Sequence, residues 1–341
     1  MSRREGARPW WRRIVTRGVG LLVTAIALYV VAPSLLALLD AVPSLGDVAP
    51  VWFLVVVAAE LASYMSLWAL LRIALRTRKW FVVAVSQLAG NAASRVVPGG
   101  AAAGGVVQGG VLVRSGYPVA SVGAVLSATG LLTTGMLFAL PVLAVPAMLA
   151  GLAVPGPLEA GLLVSLVLAA VLVGVGAAVL WSDRTAHKLA TAAAWAVTRV
   201  LRSRKPRPLA RLLLTERDRI REAFDGHWIP SLAAAAGNRM FDAAALFASL
   251  LAVGANANPF LVLLAYVVSL ALALVPITPG GLGFVEAGLT SLLVLAGATA
   301  QEAVVATLLY RLASFWLPIP LGLVAWGGWR ALRRTEQLQV P

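Results

Sequence analysis

The stretch 271-ALALVPITPGGLGFVEAGLTSLLVLAGATAQEAVVATLLYRLASFWL-317 decides the fold. It is almost wholly apolar, yet Pro276, Pro279, Gly280, Gly281 and Gly283 interrupt it. Glu286 follows the break, and Arg311 sits inside the next apolar run. A helix facing lipid avoids all of these. Backbone released from helix geometry inside a membrane has to be buried in protein or line a cavity. Ionisable side chains at that depth cost several kcal/mol unless paired or wetted, which makes them functional candidates.

The stretch has an echo. A backward shift of about 181 residues lays Pro279-Gly280-Gly281 on Pro98-Gly99-Gly100, Gly297 on Gly116 and the run from Gln301 on the run from Ala120, without a gap. Identity is low, and apolar runs match by chance. The shared Pro-Gly-Gly, at equal distance from the following span, favours a duplicated unit.

The rest of the chain fits a membrane setting. Of its 341 residues 60% are hydrophobic, and the mean hydropathy is +0.88. Soluble domains sit nearer half apolar, and runs of about twenty apolar residues recur here. There is no cysteine, which excludes disulfides and thiol chemistry. The two histidines, His187 and His227, lie in a charged loop, so no metal site and no cofactor are expected.

The fold class read from this pattern is an all-α polytopic membrane protein. Six full transmembrane helices and two Pro-Gly-broken re-entrant hairpins form an inverted repeat. A basic tail (1–17) precedes the first repeat (18–140, hairpin 80–113). The second repeat (159–326) holds the hairpin 260–296 and the basic loop 182–228, and a tail (327–341) follows. Within the repeats the spans fall at about 18–39, 51–71, 119–140, 159–181, 229–253 and 302–326, with a loop at 141–158.

The formal net charge is +14, and its placement argues for topology rather than nucleic acid. With the N-terminus in the cytoplasm and each broken segment returning to its own side, every loop carrying Lys or Arg falls inside. Only Arg95, Arg239 and Arg311 stay at membrane depth. The two repeats then run in opposite directions, with both termini cytoplasmic. Charge does not distinguish hairpins from pairs of full spans. The arms do: 80–96 and 260–275 are at the lower edge of spanning length, and 101–113 is too short.

Two groups of residues could carry function. The Gly281–Phe284 helix start offers unpaired N–H groups and positive dipole, an anion site for which the alternative is a turn satisfied by its neighbours. Around it the candidate substrate-binding residues are Arg95, Pro98, Gly99, Pro279, Gly280, Gly281, Gly283, Glu286, Tyr310 and Arg311. Arg311 reads either as a bidentate phosphate clamp or as the structural partner of Glu286 or Asp242. The second group, Glu60, Tyr64, Arg239 and Asp242, reads as a head-group site or proton relay, or as plain ion pairing. The 182–228 loop reads as amphipathic helices on an anionic leaflet.

Val275-PITPGGLGFVEAGLTSLL and Ala303-VVATLLYRLASFWLPIPLG resemble the lysylphosphatidylglycerol synthase transmembrane family. That family includes the flippase half of the multiple peptide resistance factor and stand-alone bacterial relatives. Arg95-Val-Val-Pro98-Gly resembles its earlier motif more loosely. The resemblance implies a bacterial plasma-membrane protein that moves or handles lipids with charged head groups. An intramembrane transferase with Glu286 as base is a third reading, but no nucleophile or metal set supports it, so no catalytic residue is expected. Its partners would be membrane lipids, such as an anionic or aminoacylated phospholipid or a polyprenyl-linked lipid. A second copy of the chain is a further candidate partner, and nucleic acid is not. Two-part members add a soluble aminoacyl-transferase. This sequence carries none through Pro341, so it is not expected to make an aminoacylated lipid. The alternative function is an accessory scaffold for cell-envelope lipid or glycolipid synthesis.

The topology makes a direct prediction. A cysteine placed at Asp47, Gly151 or Asn256 is expected to react with an impermeant thiol reagent added to intact cells, and one at Ser203 is not. Labelling at Ser203 would sink the opposed orientation of the two repeats.

Overall fold

The computed structural model describes residues 49–97, 100–200, 206–274 and 281–338, and among them there is no strand. The predicted first span, 18–39, lies outside them. Four helices are long and apolar enough to cross a membrane: Pro50–Ala74, Val119–Leu149, Gly156–Trp181 and Ala300–Leu332. They match the second, third, fourth and sixth predicted spans.

In chain order, α1 is Pro50–Ala74, α2 Trp80–Val96, α3 Gly100–Arg114 and α4 Val119–Ala139. A 3-10 turn (Leu140–Ala144) and the short α5 (Val145–Leu149) occupy much of the expected Pro141–Leu158 loop. Then come α6 (Gly156–Trp181), α7 (Asp183–Val200), α8 (Pro206–Phe224) and α9 (Trp228–Ala252). Helices α10 (Pro259–Ala273), α11 (Phe284–Leu295) and α12 (Ala300–Arg311) follow. A π turn, Leu312–Trp316, joins α12 to α13 (Pro318–Leu338). The last helix therefore runs well past Trp326, where the sequence placed its end.

Helix α9 covers the predicted fifth span, 229–253, but is not among the four helices apolar enough to cross. Its 25 residues are long enough to cross, but Asn238, Arg239 and Asp242 make it more polar than the other spans. The polarity has a physical reason: α9 packs on α1, α4, α10 and α12, so its polar residues meet protein. Ser63 and Asn238 clasp the α1–α9 contact reciprocally. Ser63 Oγ donates to the Asn238 carbonyl at 2.9 Å, and Asn238 Nδ2 donates to Ser63 Oγ at 2.8 Å.

The two broken segments appear as helix pairs. α2 packs on α3, and α10 on α11. The base of the second pair is closed by the Asn258 N–H, which donates to the Ala296 carbonyl at 3.0 Å. The Asn258 side chain caps α10, accepting from Phe260 N and Leu261 N. Helix α2 is gripped on both sides through glycine. A Cβ at Gly104 would stand 2.6 Å from the Gly90 carbonyl oxygen, and one at Gly322 on α13 would stand 2.3 Å from the Leu88 carbonyl oxygen.

The basic loop forms α7 and α8, packed together. Arg217 fastens α8 to the end of α6. Its guanidinium donates to the Val179 carbonyl at 2.9 Å and the Leu180 carbonyl at 3.1 Å, and Nη2 lies 2.7 Å from Asp183. These are carbonyls that a helix end leaves unpaired. The hydrogen bond from Arg217 holds the Asp183 carboxyl below its ordinary value. The contact is therefore intact at neutral pH and is lost only as pH falls below the usual carboxylate range.

The α2–α13 crossing generates a stability prediction. In a free helix Gly→Ala gains up to about 1 kcal/mol. Gly105→Ala, whose Cβ meets nothing within 4 Å, is expected to follow that rule. Gly322→Ala is expected to destabilise by about 1–3 kcal/mol through overpacking. Denaturant unfolding in detergent micelles compares the two, and equal effects would remove the close-contact argument.

Candidate functional site

The polar side chains of the interior gather where α1, α2, α9, α10, α11 and α12 meet. One group is built on Asp242 of α9. Tyr310 of α12 donates to Oδ1 at 2.8 Å, and Tyr266 of α10 donates to Oδ2 at 2.9 Å. Arg239, one turn earlier, places Nη1 3.9 Å from Oδ2, while its Nε donates to the Thr133 carbonyl at 3.1 Å. Asp242 thus holds α10 and α12 onto α9. Glu60, across on α1, is buried and lies within electrostatic reach of Asp242 and Arg95. Its Oε1 has no hydrogen-bond partner.

The second group is the ion pair that the sequence offered as one alternative for Arg311. Nε and Nη2 of Arg311 lie 2.8 Å and 2.7 Å from the same oxygen, Glu286 Oε1. The side chains are 9% and 15% exposed. Oε2 of Glu286 is buried without a partner. This is a one-oxygen grip rather than the parallel two-oxygen fork, so the pair keeps unused hydrogen-bonding capacity. Glu286 stands in the first turn of α11. The chain reaches that turn through Gly281 (φ 74°) and Gly283 (φ 76°), backbone settings that glycine adopts without strain.

Arg95, in the last turn of α2, meets the second half of the chain through backbone. Nη2 donates to the Ser314 carbonyl at 2.7 Å, and Nη1 donates to the Phe315 carbonyl. Donors are scarce here for a reason written in the sequence. Pro318 and Pro320 have no N–H. The N–H of residue 319 can serve only one of the two carbonyls, Phe315 in α register or Ser314 in the wider π register. The π turn at Leu312–Trp316, closed by Leu317 N–H to the Leu312 carbonyl at 2.9 Å, presents both carbonyls to Arg95.

Two cations stand against the Phe315 ring. Arg95 Cζ is 4.8 Å from its centroid and Arg311 Cζ is 4.3 Å. Such contacts are worth about 0.5–2 kcal/mol each. Tyr64 completes the group, its hydroxyl accepting from Asn91 Nδ2 at 2.7 Å and standing 3.5 Å from Arg95 Nη2.

Arg95, Glu60, Tyr64, Arg239, Asp242, Glu286, Tyr310 and Arg311 therefore converge in one region. Pro98, Gly99, Pro279 and Gly280 lie outside the described residues. Tyr310, adjacent to Arg311 in sequence, serves Asp242 instead. Tyr266, Asn91 and Phe315 escaped the sequence reading. A tyrosine or phenylalanine within an apolar run carries no local signal. The signal that was available, and was not read, is the loss of two N–H donors at Pro318 and Pro320.

A family model described as the lysylphosphatidylglycerol synthase TM region matches residues 18–322. The chain belongs to this family. It is a multi-pass helical membrane protein of the lysylphosphatidylglycerol synthase transmembrane region. A comparison with curated proteins gives no match.

The Arg95 contact can be tested by a double-mutant cycle. Arg95→Gln is expected to destabilise the protein by about 1–3 kcal/mol for each carbonyl left unpaired. Pro318→Ala restores an N–H for the Ser314 carbonyl. Arg95→Gln in that background is expected to cost less. Additive effects in denaturant unfolding would show that the carbonyls are not what Arg95 serves.

Proposed function

We propose that the chain moves a phospholipid or a lipid-linked head group across the bilayer, with no covalent step. The observation that carries this reading is a cation, Arg95, that meets no carboxylate among the described residues. Arg95 is bonded to backbone carbonyls and a tyrosine, 4.8 Å from a ring that Arg311 shares. Half-buried positive charge with no counter-ion in contact is costly, and a lipid phosphate supplies the missing anion. Arg311 joins it by turning its unused donors from Glu286 to the phosphate. Glu60, Asp242 and Glu286 then face a basic head group or take up protons.

On this reading α2–α3 and α10–α11 are re-entrant hairpins within an inverted repeat, with both termini in the cytoplasm. Arms of 17, 15, 15 and 12 residues span about 18–26 Å at helical rise, short of the roughly 30 Å hydrocarbon core. Recurring contacts support the repeat: α1 meets α2 and α4 as α9 meets α10 and α12, and α3 meets α4 as α11 meets α12.

Arg311 decides between clamp and strut. Arg311→Lys keeps the charge and loses the fork. It is expected to lower translocation of a labelled phospholipid in liposomes about tenfold or more, the equivalent of one lost charge-assisted hydrogen bond, at unchanged folded protein. Normal rates for both Arg311→Lys and Arg311→Gln would overturn the clamp.

A further inference from the structure

A groove of about 260 Å³ opens between α1 and α2, lined by Leu61, Met65, Trp68, Trp80, Phe81 and Ala84. Leu61, Met65, Trp68 and Arg72 follow one another at helical spacing along a single face of α1. Trp80, Phe81 and Ala84 form the opposite wall from the first turns of α2. Leu61, Met65, Trp80 and Phe81 are all exposed, so the groove opens to the surroundings of the helices.

Its basic end holds two unsatisfied donors. Trp68 Nε1 and Arg72 Nε are both buried without a hydrogen-bond partner among the described residues. An unmet buried donor costs about 1–3 kcal/mol, and a charged one more. The Arg72 guanidinium stacks on the Trp80 ring, 3.9 Å from its centroid, and no ion pair of Arg72 exists among the described residues. Arg78 and Lys79 stand exposed beside it. Arg76 does not compete, because it is bonded to the Glu222 carbonyl at 2.7 Å. The other apolar surfaces lack this combination. Helix α6 exposes Leu163, Val164, Val167 and Val171 but has no Lys or Arg between Gly156 and Trp181.

We propose that this groove is a binding site for one anionic phospholipid, with an acyl chain along Leu61, Met65 and Phe81 and the phosphate accepting from Trp68 Nε1 and Arg72. Trp80, stacked on Arg72 and exposed on its other side, is the side chain that swings to admit the phosphate. The site adjoins the central cluster. The Trp68 ring lies 6.4 Å from that of Tyr64, whose hydroxyl reaches Asn91 and Arg95. As a route into that cluster the groove rests on the transport reading. As a lipid site it does not.

The test is photo-crosslinking of the full chain in phosphatidylcholine liposomes. One probe is phosphatidic acid with a diazirine acyl chain, whose head group is the phosphate alone. The other is phosphatidylcholine with the same chain. Peptides covering 61–84 are expected to take the anionic probe roughly fivefold more than the zwitterionic one, a difference of about 1 kcal/mol. Peptides of α6 are expected to take both equally. Trp68→Phe keeps the ring and removes the N–H, and Arg72→Gln removes the charge. Each is expected to bring the groove ratio close to that of α6, with α6 labelling and denaturant unfolding unchanged. Equal labelling of the groove by both probes in the unsubstituted protein, or a preference that survives both substitutions, would overturn the site. The readout does not depend on translocation, so the site and the transport reading fail separately.

Discussion

Three guanidinium groups inside an apolar helix bundle are the constraint on which the rest of this structure depends. An arginine never sheds its charge under ordinary conditions, and a medium with little water gives that charge no solvation. Every helix that carries or faces Arg95, Arg239 or Arg311 must therefore bring acceptors to it. The three are met differently. Arg311 takes one oxygen of Glu286, Arg239 divides itself between Asp242 and the Thr133 carbonyl, and Arg95 takes bare backbone. Arg95 and Arg239 join elements far apart in sequence, and Arg311 joins the neighbouring helices α11 and α12, so satisfying the charges also assembles the centre of the fold.

The backbone solution shapes the last span. Two prolines at 318 and 320 strip donors from the helix and leave acceptors behind. In a bilayer those carbonyls would cost several kcal/mol if unmet. A π turn alone does not meet them, because it trades one missing N–H for another. A forked cation from a different helix does, since its two nitrogens reach adjacent carbonyls. A lysine at position 95 would offer a single nitrogen, which is the physical reason for arginine there.

Much of this was legible in the sequence because hydropathy and charge are local. Four spans, the Gly-led start of α11 and the arm lengths of the second pair follow from runs, prolines and glycines. So does the short list of partners for Arg311, Glu286 or Asp242, because only a few carboxylates share that depth; the structure pairs it with Glu286. What was not legible is long-range. Arg95 binds residues 219 and 220 positions away, and a carbonyl acceptor has no side-chain letter to betray it. Tyr266 reads as one more apolar residue until Asp242 is placed opposite it. The close α2–α13 crossing depends on Gly322 meeting the Leu88 carbonyl, a pairing that neither position announces alone.

The packing also limits how such a bundle can move. Helix α2 belongs to the first half of the chain, yet its tightest crossing is with α13 of the second, and Arg95 ties it to the π turn just before α13. Helix α1 is clasped to α9 by Ser63 and Asn238. The two halves are therefore interleaved, and a rigid rocking of one against the other would break a backbone-bonded cation and a reciprocal side-chain clasp together. Smaller changes cost less. The Arg311–Glu286 pair uses one carboxylate oxygen of two, and the π turn beside it is already a loosened piece of helix. Movement confined to α11, α12 and that turn would exchange partners around Arg311 and Phe315 while leaving the glycine crossings closed. The lowest-cost motion available to this fold is thus a local one, and it passes through the side chains that carry the charge.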